Sequence, residues 1–144
     1  MSDQKLFNEL SFYTLAHEDR ASFIHQYIVD AYTGQHADAD TKPIAIVFAL
    51  VGLYLCVEKN FTGRQVQLVH MALVKTKAAL PTIALPVSRG SITVSDVLAA
   101  KDGTEKDEMI KKWCASVWSA YSGAREVIIK YLKDNSGLLK EFGL

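Results

Sequence analysis

Four histidines and two cysteines are the residues of this chain best suited to bind a metal, pass a proton or attack an electrophile. His17, His25, His36 and His70 include no short pair of the His-x-x-x-His kind. Zinc asks for four ligands, or three and a water, and iron sites commonly set a carboxylate beside two histidines. Asp30 follows His25 on one helix, but helical geometry turns it about 140° away, so the two cannot act as a base and its orienting carboxylate. Asp30 is therefore expected in solvent or against some other element. No metal and no other cofactor is expected. Cys56 and Cys114 fall inside apolar helical patterns, which is how free thiols look in the core of a protein from a reducing compartment; a disulfide between two core helices is the weaker alternative. No Gly-rich phosphate loop, nucleophile elbow or pair of catalytic carboxylates is present.

The elements that must position these residues all read as helices. Ser2 to Ala16 reads as a helical turn or two, followed by an irregular approach in which Asp19 caps a first long helix, roughly Arg20 to Gln35. On that helix Ala21, Ile24, Ile28 and Ala31 face the core, while His25, Val29, Tyr32 and His36 line its margin. Gln35 falls inside the apolar arc, as a helix-end amide would when it satisfies free carbonyls or the first N–H groups of the next helix. Thr41 is placed to cap the second helix, with Pro43 in its first turn. From Ile44 to Val57 this helix reads IAIVFALVGLYLCV, apolar on every side. A membrane span needs about 20 such residues, so the run predicts a buried central helix of about 42–59 rather than a span.

Thr62 with Gln65 reads as a capping box opening a third helix to about Leu80, with Val66, Val69, Leu73 and Leu80 inward. Pro81 to Gly90 is a loop. Thr93 with Asp96 opens a short helix, and Thr104 with Asp107 opens the longest one, about Glu105 to Asp134, which Ser122-Gly123 can kink. The fold expected is all-α, a bundle of about five helices in a single domain, 1–144, with short links setting neighbours antiparallel. Folded at those links, His25 comes level with Val51 and Gly52, and His70 with the same Gly52. Two imidazoles then flank the one residue of the central helix without a side chain. That layer is either core packing, with each histidine bonded to a tyrosine or the backbone, or a small polar pocket. Its candidate ligand-binding residues are His25, Tyr32, Gly52 and His70. Glu58, at the end of the buried helix, is expected to pair with Arg64, and Trp118 to fill a groove or meet a partner.

Lys plus Arg equals Asp plus Glu, so the formal net charge is zero. A phosphate-binding surface would bring a basic surplus, and nucleic acid is not expected as a partner. Nor is a membrane. The opening residues, MSDQKLFNEL, lack the charged start and apolar stretch of a signal peptide, and a cytoplasmic location is expected.

The segment FIHQYIVDAYTGQ, followed by TKPIAIVFALVGLYLCVEK, resembles a family of small all-helical bacterial proteins classed as a domain of unknown function. In that family a His, then Val-Asp-Ala-Tyr and a Gln recur on one helix, matched here by His25, Val29, Asp30, Ala31, Tyr32 and Gln35. The resemblance spans about Ser11 to Tyr121 and implies an all-helical fold with no assigned activity. Three functions stay open: a domain that binds a small molecule or a protein without catalysis; a histidine-dependent or metal-assisted enzyme using His25 and His70; and a homodimer meeting through Trp118 or the Pro81–Gly90 loop.

Overall fold

The computed structural model describes residues 2–17 and 22–144, without the side chain of His17. The expected Asp19 cap and the start of the first long helix near Arg20 lie outside the described residues. Every regular element among the described residues is helical: α1 (Asp3–His17), α2 (His25–His36), α3 (Pro43–Lys59), α4 (Gly63–Leu73), α5 (Val94–Ala99), α6 (Thr104–Ala120), α7 (Arg125–Asp134) and α8 (Ser136–Leu139), with short 3-10 turns at Ser122–Ala124 and Lys140–Phe142. The all-α expectation holds, with eight helices among the described residues in place of about five. One of the additions is α1, a continuous helix where only a turn or two was expected.

The apolar run becomes α3, buried from Ile46 to Leu55 apart from a half-buried Phe48, because α2, α4, α6 and α7 all pack on it. Only its ends reach the surface, at Ile44 and Val57. The helix stops at Asn60, whose left-handed backbone turns its N–H back to the Leu55 carbonyl, a common helix ending. Its N-cap is Lys42, without a side-chain cap; Thr41, expected there, instead serves Asp38. No helix among the described residues is long and apolar enough to cross a membrane.

The capping boxes Thr62–Gln65 and Thr93–Asp96 both form. The third, Thr104–Asp107, does not: Gly103 holds the N-cap, and the Asp107 carboxylate accepts from the Tyr13 hydroxyl of α1 at 2.9 Å. Helix α4 ends at Leu73, short of the expected Leu80, although Val66, Val69 and Leu73 face inward as expected. The expected helix 105–134 is two, α6 and α7, separated by the 3-10 turn at Ser122-Gly123. At that break the Tyr121 hydroxyl donates to the Gly34 carbonyl at 2.6 Å, fixing the end of α6 to the end of α2.

Candidate functional site

The four residues expected around a shared pocket are held by different elements. On α2, His25 places Nδ1 3.0 Å from the Thr14 hydroxyl of α1. Tyr32 is stacked between Phe7 at 4.3 Å and His36 at 4.1 Å, a sandwich joining α1 to α2. On α4, His70 donates from Nε2 to the Phe48 carbonyl at 2.7 Å and lies parallel to the Phe48 ring. Burial holds its imidazole below the usual histidine range, so the neutral form is favoured and Nδ1 is left as the acceptor.

Gly52 is where structure and expectation part. The space in front of it is filled by the Asp30 carboxylate: a Cβ on Gly52 would lie 1.8 Å from Oδ2 and 3.2 Å from a methyl of Val66. Of the two places expected for Asp30, solvent or another element, it takes the second: it is buried at 4% exposure against α3. The buried face of α2 is carried by Tyr27, Ile28, Asp30, Ala31 and Gly34. At 100° per residue Asp30 lies about 60° from Tyr27 and about 40° from Gly34, on that arc's edge. The signal for it was the pair of glycines, Gly34 and Gly52, which allow α2 and α3 to approach closely enough to cover a carboxyl.

Around Asp30 lies a buried cluster of titratable groups. Gln26 donates to Oδ1 at 3.1 Å, while Oδ2 has no hydrogen-bond partner among the described residues. Burial pushes the carboxyl well above the usual range against the opposing hydrogen bond from Gln26. Tyr27, next to Cys56, donates its hydroxyl to the Phe61 carbonyl, and burial pushes the phenol up. Its backbone carbonyl accepts from the Cys114 thiol at 3.5 Å. Both cysteines are free; Cys114 on α6 is buried and Cys56 on α3 half-buried. The helices that carry them pack on each other. The hydrogen bond from Cys114, helped by the Tyr27 hydroxyl and the charge of Lys111, lowers the Cys56 thiol against the pull of burial. The same contact and burial raise Cys114. The cluster thus holds one thiol biased toward thiolate, one toward thiol, and a carboxyl biased toward its neutral form.

The raised Asp30 carboxyl fixes the sign of a pH effect. The folded state binds this proton more tightly than the unfolded chain. The resulting stability is complete below the ordinary aspartate value of about 3.9 and is lost as pH rises toward the raised value, at about 1.4 kcal/mol per pH unit. Asp30→Asn keeps an acceptor for Gln26 and cannot ionise. Urea midpoints taken from about pH 4 to about pH 8 are expected to fall with pH more steeply for the native chain than for Asp30→Asn, and parallel curves would contradict the assignment.

At the other end of α2 a second polar node closes the fold. Gln35 donates to the carbonyls of Ile92 at 2.7 Å and Arg89 at 3.3 Å and accepts from the Trp113 indole at 3.0 Å. The amide does satisfy carbonyls, as expected, but those of the loop ahead of α5. Arg89 donates to the carbonyls of Ala37 at 2.7 Å and Gly34 at 3.5 Å, completing the end of α2. Glu58 pairs with Arg125 at 2.7 Å, not with Arg64, and also accepts from the Trp118 indole at 2.7 Å. Trp118 is buried at 5% exposure, and Val87 in the 81–90 loop is fully exposed.

Two grooves flank that loop. One, of about 420 Å³, is lined by Pro43, Ile46, Leu80, Pro81, Thr82 and Ile83. The other, of about 380 Å³, shares Thr82 and Ile83 and reaches Tyr121 and Ala124. Among the described residues no group of three or more His, Cys, Asp or Glu could hold a metal ion. No curated protein and no solved structure matches the chain. The model of one family, the family of unknown function DUF5946, matches residues 4–122, which take in the whole of α1 to α6 except its first residue, and the chain belongs to that family.

Proposed function

We propose that the chain is a cytosolic binding domain without catalysis of its own, and that its seat is the groove beside the 80–83 segment rather than the histidine layer. The observation that carries this is the groove's make-up. Pro43, Ile46, Leu80, Pro81 and Ile83 form an apolar wall, Thr82 supplies the hydroxyl, and the volume of about 420 Å³ falls in the range of small-molecule sites. The occupant that fits is a small apolar molecule with one hydrogen-bonding group. The layer at Gly52 has less to offer, because Asp30 takes the space and His25, Tyr32 and His70 are engaged by α1, Phe7 and Phe48.

The apolar fluorophore anilinonaphthalene sulfonate provides the test. The native chain is expected to bind it saturably, and Leu80→Asp or Ile83→Asp to abolish binding while the far-UV spectrum keeps its helical shape. Leu80 is partly exposed, whereas Ile83 is half-buried and packs against the core, so the helical spectrum is the control that matters most for Ile83→Asp. Absence of saturable binding, or equal binding by both variants, would overturn the groove as the seat.

A further inference from the structure

Between α4 and α5 the chain runs from 79 to 86 with neither helix, turn nor bend, and burial alternates along it. Ile83 and Leu85 pack against the core, while Thr82 and Ala84 between them are exposed. A period of two is the pattern of a strand lying on an apolar surface. Yet no strand pairs with it: among the described residues, no main-chain N–H or C=O group of 82–85 has a hydrogen-bond partner. Pro81 and Pro86, which lack an N–H, bound this open stretch. No charged residue stands between Lys77 and Arg89 to guard it, as charges guard many sheet edges. The groove of about 380 Å³ lies beside it, walled by 82–86 and, from the corner between α6 and α7, by Tyr121, Gly123, Ala124 and Val127.

We propose that this edge docks an extended, uncharged peptide segment of a partner protein, which adds one strand along 82–85 and sets alternate apolar side chains in the groove. Main-chain hydrogen bonds supply the affinity, and the groove selects the side chains. Four residues at about 3.3 Å each give about 13 Å of edge, room for one short segment. Every residue lining the groove is uncharged, so a charged side chain entering it would lose water and gain no counter-charge. A second copy of this chain is the poorer occupant: its own Ile83 and Leu85 are packed against its own core and have nothing to put into the groove. The seat beside Pro43 and Ile46 shares only Thr82 and Ile83 with this groove, so the peptide site goes beyond the small-molecule reading and does not rest on it.

The probe is a fluorescently labelled peptide of alternating threonine and valine or leucine, followed by anisotropy. The native chain is expected to bind it saturably, and the amides of 82–85 to exchange hydrogen more slowly when it is bound. A strand bonds through alternate residues along one edge. N-methylation of one alternate set of peptide amides is therefore expected to weaken binding about tenfold or more, and of the other set to leave it unchanged. Gly123→Trp and Val127→Asp are expected to lose binding and keep the helical spectrum. A Cβ on Gly123 meets nothing within 4 Å, and Val127 is half-buried outside the core cluster. The proposal is overturned by absence of saturable binding, by affinity indifferent to both methylated sets, by native affinity in Gly123→Trp, or by self-association of the chain through 82–85. Dye binding in the first groove is measured on the same variants. Gly123 and Val127 do not line that groove, so the two readings fail separately.

Discussion

Gly52→Ala is expected to destabilise the chain by about 2–4 kcal/mol, against a total of about 5–15 for a domain of ordinary stability. Two effects oppose each other. Alanine is the better helix former, and away from this contact the change would gain about 1 kcal/mol. Here the added methyl falls 1.8 Å from Asp30 Oδ2 and 2.6 Å from its Cγ. Overlap of that size cannot be absorbed by a few tenths of an ångström. The carboxyl must swing off, and it leaves behind the hydrogen bond from Gln26. Overpacking costs about 1–3 kcal/mol and a buried polar group stripped of its partner about 1–3 more, so the loss outweighs the helical gain. Urea denaturation reads the result as a lower midpoint with an unchanged slope. Asp30→Ala in the same background should restore part of the loss, since the two side chains contend for one space, and the double-mutant cycle should be strongly non-additive. A Gly52→Ala variant as stable as the native chain would show that Asp30 does not occupy that space.

Trp113→Ala is expected to cost about 3–5 kcal/mol, the usual range for emptying a fully buried aromatic site. Trp113 is 0% exposed, and its indole N–H is the donor to Gln35 Oε1. Trp113→Phe separates the two contributions. It keeps most of the apolar volume and removes the donor, so the expected loss is about 1–3 kcal/mol, the cost of a buried acceptor left unpaired. Denaturation followed by far-UV dichroism should rank the chains native, then Phe, then Ala. Limited proteolysis of the folded variants should show faster cleavage between Thr76 and Ile92, because Gln35 holds that segment by the Arg89 and Ile92 carbonyls. Equal midpoints for the Phe and native chains would remove the indole hydrogen bond from the account.

What could be read from the residues in advance was what local geometry decides. An unbroken apolar run of helix has nowhere to go but the centre, and α3 is there. Thr62 with Gln65 and Thr93 with Asp96 close their boxes because both partners lie within one turn. Thr104 with Asp107 has the same spacing and fails, since Tyr13, far off in sequence, takes the carboxylate. Long-range competition of this kind decides the remaining departures. Arg125 outbids Arg64 for Glu58 by forming paired hydrogen bonds across the fold, and Tyr121 ends α6 by bonding to Gly34. Lys106, which nothing in the local pattern marks as buried, is 5% exposed because Asp102 pairs with it and the Tyr13 ring covers it. The thiol cluster was half legible. The apolar patterns around Cys56 and Cys114 indicated core cysteines, but that Cys114 is fully covered and Cys56 only half depends on how α3 and α6 rotate against each other, and no spacing encodes that.

Arg89 joins two parts of the molecule that sequence keeps more than fifty residues apart. Its guanidinium closes the last carbonyls of α2, and its Nε–H donates to Pro86 in the segment that continues from the grooves. The last turn of α2 is therefore tied both to that segment and, through the Tyr121 hydroxyl on Gly34, to the end of α6. Loosening the 86–89 segment would free the Ala37 carbonyl while the Tyr121 hydroxyl still held Gly34, so the end of α2 would fray by one carbonyl at a time rather than all at once.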